Sequence, residues 1–233
     1  MQNKKKPQNN QHRKILTTAD GSKSIYIEAE NVQYHSKHGA ILEAQHVFIH
    51  SGLHFILQNN SKPISIFEMG LGTGLNCILT AIEALKNNMH IDYTAIEAFP
   101  VKIEEVEQLN FHQHLPYTKS DFLNLHQLDF GSKHLLNQYF SFTKIYGLFE
   151  NYKQGKTFDL VYFDAFGANA QPELWTKKIT DQLYRMINWQ GIMVTYSVKG
   201  SFRRNLLESG FTVEKIDGPP GKREMLRAIK TPC

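Results

Sequence analysis

Ten consecutive residues, Phe67-Glu68-Met69-Gly70-Leu71-Gly72-Thr73-Gly74-Leu75-Asn76, are the best equipped for chemistry in this chain. Three alternating glycines let the backbone turn tightly and approach a ligand closely. A helix starting just after them offers unpaired N–H groups to an anion. A dinucleotide fingerprint would need its third glycine at position 75, which is leucine, and a phosphate-binding P-loop would need a Lys-Ser/Thr pair that is missing. The spacing here is G-x-G-x-G, with Glu68 two residues upstream. Glu97 follows about 20 residues on, where an acid commonly accepts from the two hydroxyls of a ribose. Asp164 closes a third apolar run, FDLVYFD. Taken singly, Glu97 is an exposed strand-end acid and Asp164 a turn or helix-cap acid. Together, Glu68, Glu97 and Asp164 end three strands on one rim, where ligands bind in open α/β sheets.

These residues need a frame. Ile64–Met69 reads as a short buried strand, and Leu75, Ile78, Leu79, Ile82 and Leu85 mark one face of the helix after it. Ile91–Glu97 is a second strand, Val101–Leu109 a second helix, and Phe158–Asp164 a third strand. Glu173–Met186 is a helix behind Pro172, Gly191–Tyr196 a strand, and Ser201–Ser209 a helix stopped by Gly210. Phe211–Ile216 and Met225–Ile229 are strands whose connection is too short for a crossover, so they pair antiparallel at one edge. Residues 110–157 read as partly irregular. Upstream, Ile15–Tyr34 holds an Asp20-Gly21 turn signal between β-like runs, and His38–Gly52 reads as a helix with Gly52 as its stop. Strands alternating with helices imply an α/β fold, its mainly parallel sheet covered on both faces and carrying an antiparallel edge strand. The expected division is a disordered basic tail (1–14), a β-hairpin and helix appendage (15–60) and the α/β domain (61–233).

Composition narrows the function classes. The chain has 233 residues, 41% apolar and 21% charged, which suits a globular domain. Two cysteines, Cys77 and Cys233, are too few for a disulfide framework or a cysteine-based zinc site. His12, His35, His38, His46, His50, His54, His112 and His114 show no metal spacing. His46 and His50 lie four apart without the Glu of H-E-x-x-H, so these read as surface or packing residues and no metal is expected. No apolar run approaches the ~20 residues of a membrane span. The polar N-terminus lacks the apolar core of a secretion signal, which points to the cytoplasm. The net charge of +4 hides basic ends around a middle of net −5 over residues 15–198. Lys199, Arg203, Arg204, Lys222, Arg223 and Arg227 cluster in sequence and would attract an anionic partner.

The glycine loop resembles motif I of class I S-adenosylmethionine (AdoMet) methyltransferases. The segments FEMGLGTGLN, IEAFP, FDAFGANAQPELWT, SFRRNLLESGFTVEKIDGPPGKREMLRA and ADGSKSIYIEAENVQYHSKHGAILEAQHVFI go further. Together they resemble the methyltransferase domain of the bacterial enzyme that finishes 5-methylaminomethyl-(2-thio)uridine at the tRNA wobble position. The resemblance implies a Rossmann-like fold and AdoMet as cofactor. Glu68, Met69, Gly70, Gly72, Thr73, Gly74, Asn76, Glu97 and Asp164 would bind it, with Asp164 catalytic. It implies the tRNA anticodon loop as partner, with Phe166, Trp175, Arg204, Lys222 and Arg223 on the substrate side. Upstream tRNA-modifying enzymes would act on the same nucleoside. Two-domain members carry an FAD-dependent oxidase. No second nucleotide-binding loop occurs here, so the stand-alone form without FAD is expected. Three positions depart from the family. Ala168 and Ala170 stand where it has a Pro and a Lys, and Leu148 follows Gly147 where it often has an Asp near the adenine.

The implied reaction methylates a primary amine, which must lose its proton to attack. An alkylamine pKa of ~10.4 leaves about one molecule in a thousand as free base at pH 7. A sulfonium ~4 Å away at an effective dielectric of ~20 offsets about 4 kcal/mol of that cost. Asp164 would act as a general base or, better, as an acceptor that aims the amine lone pair. Tyr34, Phe166, Trp175 and Tyr196 are the aromatic candidates for stacking an unpaired base. Two alternatives stand: an aminopropyltransferase or methyltransferase acting on a small amine, and a non-catalytic RNA-binding module.

Overall fold

The computed structural model describes residues 13–58, 63–153 and 155–231. Most of the expected tail, the boundary at 60/61, His12 and Cys233 lie outside these residues. Strands β1 (Arg13–Thr17) and β2 (Lys23–Ile27) pair antiparallel. Asp20 builds their turn: its Oδ1 accepts from the Ser22 amide at 3.0 Å and the Thr18 hydroxyl at 2.8 Å. Its Oδ2 accepts from the Leu42 amide at 3.1 Å, tying the turn to the next helix. Strand β3 (Val32–Gln33) completes a small three-stranded sheet.

The helix that follows runs past Gly52 instead of stopping there. It comprises α1 (Ala40–Ala44), a π-helical stretch (Gln45–His54) and α2 (Phe55–Leu57). Gly52 is a contact surface rather than a terminator. A Cβ there would meet Val194 Cγ2 at 3.1 Å and Tyr162 Cε1 at 3.3 Å, so glycine lets the helix lie against the main sheet.

The main domain continues with β4 (Ile64–Met69), α3 (Leu75–Lys86), β5 (Ile91–Glu97), α4 (Ile103–Val106), α5 (Lys119–Gln127), β6 (Lys133–Asn137) and β7 (Phe140–Tyr146). It ends with β8 (Phe158–Phe163), α6 (Lys177–Met186), β9 (Ile187–Thr195), α7 (Gly200–Glu208), β10 (Thr212–Asp217) and β11 (Glu224–Ile229). The expected helix 101–109 is a single turn, α4. The stretch 110–157 is far from irregular, because it holds α5 and the β6–β7 hairpin. Thr118 starts α5 by accepting from the Asp121 amide at 3.1 Å. Strand β7 disguises itself with Lys144 at a buried position, where its Nζ donates to the His126 carbonyl at 2.7 Å.

The eight strands order as β10-β11-β9-β8-β4-β5-β7-β6. The pairs β9/β8, β8/β4, β4/β5 and β5/β7 are parallel. Pairs β10/β11, β11/β9 and β6/β7 are antiparallel. Antiparallel strands therefore flank both sides of the parallel centre, and the β10–β11 pairing fits the short-connection argument. Alternation along the strands splits the core by face. Ile66 packs with Val47 and Ile78 on one side, and Phe67 with Leu183 and Phe202 on the other. After β4 the chain moves to β5 on one side, then returns to β8 on the other. The carboxyl ends of β4, β5 and β8 thus meet at a topological switch point, where α/β sheets bind ligands. No helix among the described residues is long and apolar enough to cross a membrane.

Candidate active site

The glycine loop leaves β4 at this switch point. Gly70, Gly72 and Gly74 have φ of +89°, +51° and +74°, a region that disfavours side chains. Space is also short: a Cβ on Gly72 would sit 3.3 Å from the Tyr34 ring, and one on Gly74 would sit 2.9 Å from Leu125 Cδ2. The glycines are needed for the turn, Gly72 also for the fit beneath the appendage and Gly74 for the fit against α5.

Glu97 braces the loop from the end of β5. Its Oε2 accepts from the Gly72 amide at 2.8 Å and its Oε1 from the Phe99 amide at 2.7 Å. Each oxygen keeps acceptor capacity for a further donor. Asn76, in the first turn of α3, joins the other two acids. Its amide donates to Glu68 Oε1 at 3.0 Å and to Asp164 Oδ2 at 2.8 Å. Glu68 is fully buried, and burial reinforced by the Asp164 charge pushes its pKa well above the carboxylate range. Asp164 is raised to about 7, mainly by burial, with Glu43 adding to the rise and Asn76 and Lys222 opposing it. A group titrating near neutrality inside a cleft has the properties of an acid–base or orienting residue.

A cavity of about 1230 Å³ opens over these residues. The segments 69–73, 96–99, 146–150 and 164–174, together with Asn76, form much of its wall. The appendage closes another side with Tyr34, His35 and Glu43. Tyr34 meets Phe166 edge-on at 5.0 Å. Tyr196 and Lys222 also reach the wall.

Of the residues singled out on the substrate side, Phe166 and Lys222 face the cavity and Trp175 does not. Trp175 is buried against Phe163 and Phe202, and its indole N–H donates to the Phe166 carbonyl at 2.9 Å. It holds the Phe166 loop from behind. Arg204 and Arg223 are exposed and lie off the cavity wall. Arg227 leaves the basic cluster altogether: it bridges to Glu214 at 2.7 Å and lies 3.4 Å over the Phe55 ring. Leu226 pairs with Thr195, so the turn before β11 shares the rim with Lys199, just beyond β9.

Sequence reasoning passed over Glu43 and Glu150 and read His35 only as a surface or packing residue. His35 is a packing histidine with a specific task. Its Nδ1 lies 3.0 Å from the Ser24 hydroxyl and its Nε2 3.2 Å from that of Thr73, joining appendage to loop. Burial lowers its pKa to about 4, so it is neutral at pH 7. Glu43 and Glu150 line the cavity, and Glu150 Oε2 is buried without a hydrogen-bond partner. Nothing local in the sequence marks these three, because only the tertiary fold brings them together.

The sequence profile of an S-adenosyl-L-methionine-dependent methyltransferase family matches residues 105–231. The chain belongs to this family. The methyltransferase is 27% identical to the Acinetobacter baylyi tRNA 5-methylaminomethyl-2-thiouridine biosynthesis bifunctional protein MnmC, over 84% of this chain and 34% of the relative. The protein of that name from Leptospira interrogans is 30% identical over 83% of this chain and 32% of its own length. The methyltransferase thus spans about a third of these curated relatives. The crystal structure of MnmC2 from Aquifex aeolicus superposes with a TM-score of 0.78 at 25% identity, covering 96% of this chain and 72% of that one. The fold is accordingly the Rossmann-like class I methyltransferase fold, carrying an N-terminal β/α appendage.

The residues present suit the family's cofactor. AdoMet brings two cationic groups, a ribose diol and an adenine amine, all of which acidic groups satisfy. Six carboxylates line the cavity (Glu30, Glu43, Glu97, Glu150, Asp164, Glu173) against two cations, Arg13 and Lys222. Glu150 Oε2 is a buried acceptor on the cavity wall without a hydrogen-bond partner, a costly state that a ligand donor would relieve.

Proposed function

We propose that this chain uses AdoMet to methylate the primary amine of 5-aminomethyl-(2-thio)uridine at the tRNA wobble position, in the cytoplasm. The observation that carries the reading is the half-buried Asp164 carboxyl, held by Asn76 at 2.8 Å on the wall of a cavity beside the glycine loop, with its pKa pushed up towards neutrality by desolvation. A volume of about 1230 Å³ exceeds the ~300–1,000 Å³ of ordinary small-ligand pockets and leaves room for a nucleoside beside a cofactor. The names borne by the curated relatives favour a tRNA nucleoside over a free small amine.

AdoMet supplies an electrophilic methyl group. Met69, Gly70, Gly72, Thr73 and Asn76 would form the surface beneath it, while Gly74 and Glu68, which lie off the cavity wall, would shape the loop from behind. Glu97 would accept from the ribose hydroxyls. Glu150, whose Oε2 is unpartnered on the cavity wall, would accept from the adenine amine, a task that Leu148 cannot perform. Asp164 accepts a hydrogen bond from the substrate amine and aims its lone pair, and orientation of this kind is worth ~7–11 kcal/mol at best. The nitrogen would gain the methyl as the methyl–sulfur bond breaks, leaving S-adenosylhomocysteine, and would become a secondary ammonium. Its surplus proton then passes to Asp164 or to water. Phe166, held by Trp175, offers a face for the uracil ring. Lys199, Arg204 and Arg223 would meet anticodon-loop phosphates outside the cavity. Upstream enzymes that install the aminomethyl group would supply the substrate.

Transfer of labelled methyl from AdoMet tests the substrate class. Incorporation into tRNA bearing 5-aminomethyluridine, but not into diamines, supports the reading. Labelling of diamines alone refutes it and installs the small-amine alternative.

A further inference from the structure

Lys222 holds an unusual place for a cation. It comes from the turn between β10 and β11, yet its Nζ donates to Glu43 Oε1 at 2.9 Å and lies 3.9 Å over the Tyr196 ring. Glu43 is itself fixed, since its Oε2 accepts from the Ser36 amide at 2.7 Å. Tyr196 is fixed as well, donating to the carbonyl of Ala165, next to Asp164, at 2.8 Å. The turn is pressed onto the appendage, where a Cβ on Gly221 would overlap the His38 ring at 2.2 Å. Four elements therefore converge to seat one ammonium group in the cavity wall.

The charges around it make that position consequential. The groups facing this corner are Glu43 on α1, Asp164 after β8, Tyr196 after β9 and His38 before α1. Glu68 lies buried behind Asp164. The other cavity cation, Arg13, belongs to the appendage edge, where it bridges to Glu105 at 3.1 Å. Without Lys222 this corner would present two carboxylates, Glu43 and Asp164, to an incoming amine. Two carboxylates stabilise an ammonium ion, the form that cannot accept a methyl group.

We propose that Lys222 is a positioning cation of the transfer site, which lowers the proton affinity of the substrate amine and, in the same sense, of Asp164. This rests on the amine-methylation reading above. The role differs from a phosphate contact, since Lys222 is engaged inward by Glu43 and Tyr196. A unit charge ~7 Å from an amine, at an effective dielectric of ~20, changes its proton affinity roughly fifty-fold. Asp164 lies in the same field and shifts in the same sense.

The test is a pH profile of kcat, at saturating AdoMet and tRNA bearing 5-aminomethyluridine, for Lys222→Gln and Lys222→Arg, because kcat reports the groups as they ionise in the bound complex. The Gln amide can still donate to Glu43, so AdoMet binding by calorimetry and the melting temperature serve as folding controls. We expect Lys222→Gln to lose roughly ten- to fifty-fold at pH 7 and to recover towards wild type by about pH 9.5. Its acid limb moves alkaline by one to two pH units, while Lys222→Arg keeps the wild-type limb. A loss equal at all pH values, with a reduced salt dependence of tRNA binding, would overturn the proposal in favour of a phosphate contact. An unchanged profile overturns it too. Wild-type protein that methylates no tRNA would instead defeat the underlying reading.

Discussion

Replacing Asp164 by Asn should stabilise the apo-protein while impairing it. Asp164 is half-buried on the cavity wall and its pKa stands at about 7, against 3.8 for an unperturbed aspartate. The folded state therefore binds its proton more tightly than the unfolded state does. Between these two values the unfolded chain is ionised while the folded one is protonated, so stability falls as pH rises. The difference of about 3 pKa units at 1.36 kcal/mol each costs about 4 kcal/mol above pH 7, about 1.6 kcal/mol at pH 5, and only about 0.6 kcal/mol at pH 4. The Asp164→Asn side chain would carry no such cost and could still accept from Asn76. Urea denaturation of both proteins from pH 4 to 8 measures the difference directly. The variant should gain roughly 2–4 kcal/mol at pH 8, equivalent to about 4–16 °C in melting temperature for a chain of this size. The gain should shrink steadily towards pH 4. A pH-independent difference would refute the reasoning, because the Asp164 carboxyl would then feel no burial penalty in the folded state.

Two further perturbations probe the cofactor side. Gly72→Ala adds a side chain at φ +51° and drives it against the Tyr34 ring at 3.3 Å, so it should cost about 1–3 kcal/mol of stability and weaken AdoMet binding in calorimetry. Wild-type affinity would deny the loop its role. Glu150→Gln tests the buried lone acceptor. Wild type should prefer S-adenosylhomocysteine to its inosine analogue by about 10- to 100-fold, and the variant should narrow that ratio, because Gln can donate to the inosine oxygen. Equal ratios in the two proteins would remove Glu150 from adenine recognition.

The sequence was most legible where local pattern and global fold agree. The near-continuous apolar runs that mark Ile64–Met69, Ile91–Glu97 and Phe158–Phe163 are those of strands buried on both faces, and all three lie at the sheet centre. It was misleading where tertiary contact overrides local preference. Gly52 looks like a helix stop until Val194 and Tyr162 are packed against it. Lys144 breaks the apolar run of β7 because its ammonium group finds the His126 carbonyl. The helix at Lys119–Gln127 carried a readable signal in Thr118 and Asp121, a reciprocal cap at its start. Site residues divide in the same way. Those in the glycine loop and at strand ends follow from backbone geometry. His35, Glu43 and Glu150 reach the cavity only through packing of the appendage and the segment after β7. Trp175 shows the reverse error, since an aromatic residue near a site is as readily its support as its surface.

Nucleoside mass spectrometry tests the central claim most directly. The purified protein is incubated with AdoMet and tRNA bearing 5-aminomethyluridine, and the digested nucleosides are compared with a reaction lacking AdoMet. Gain of one methyl on the aminomethyl nitrogen of that nucleoside alone is the expected result. Unchanged 5-aminomethyluridine, from protein that demonstrably binds both AdoMet and the tRNA, would contradict the account.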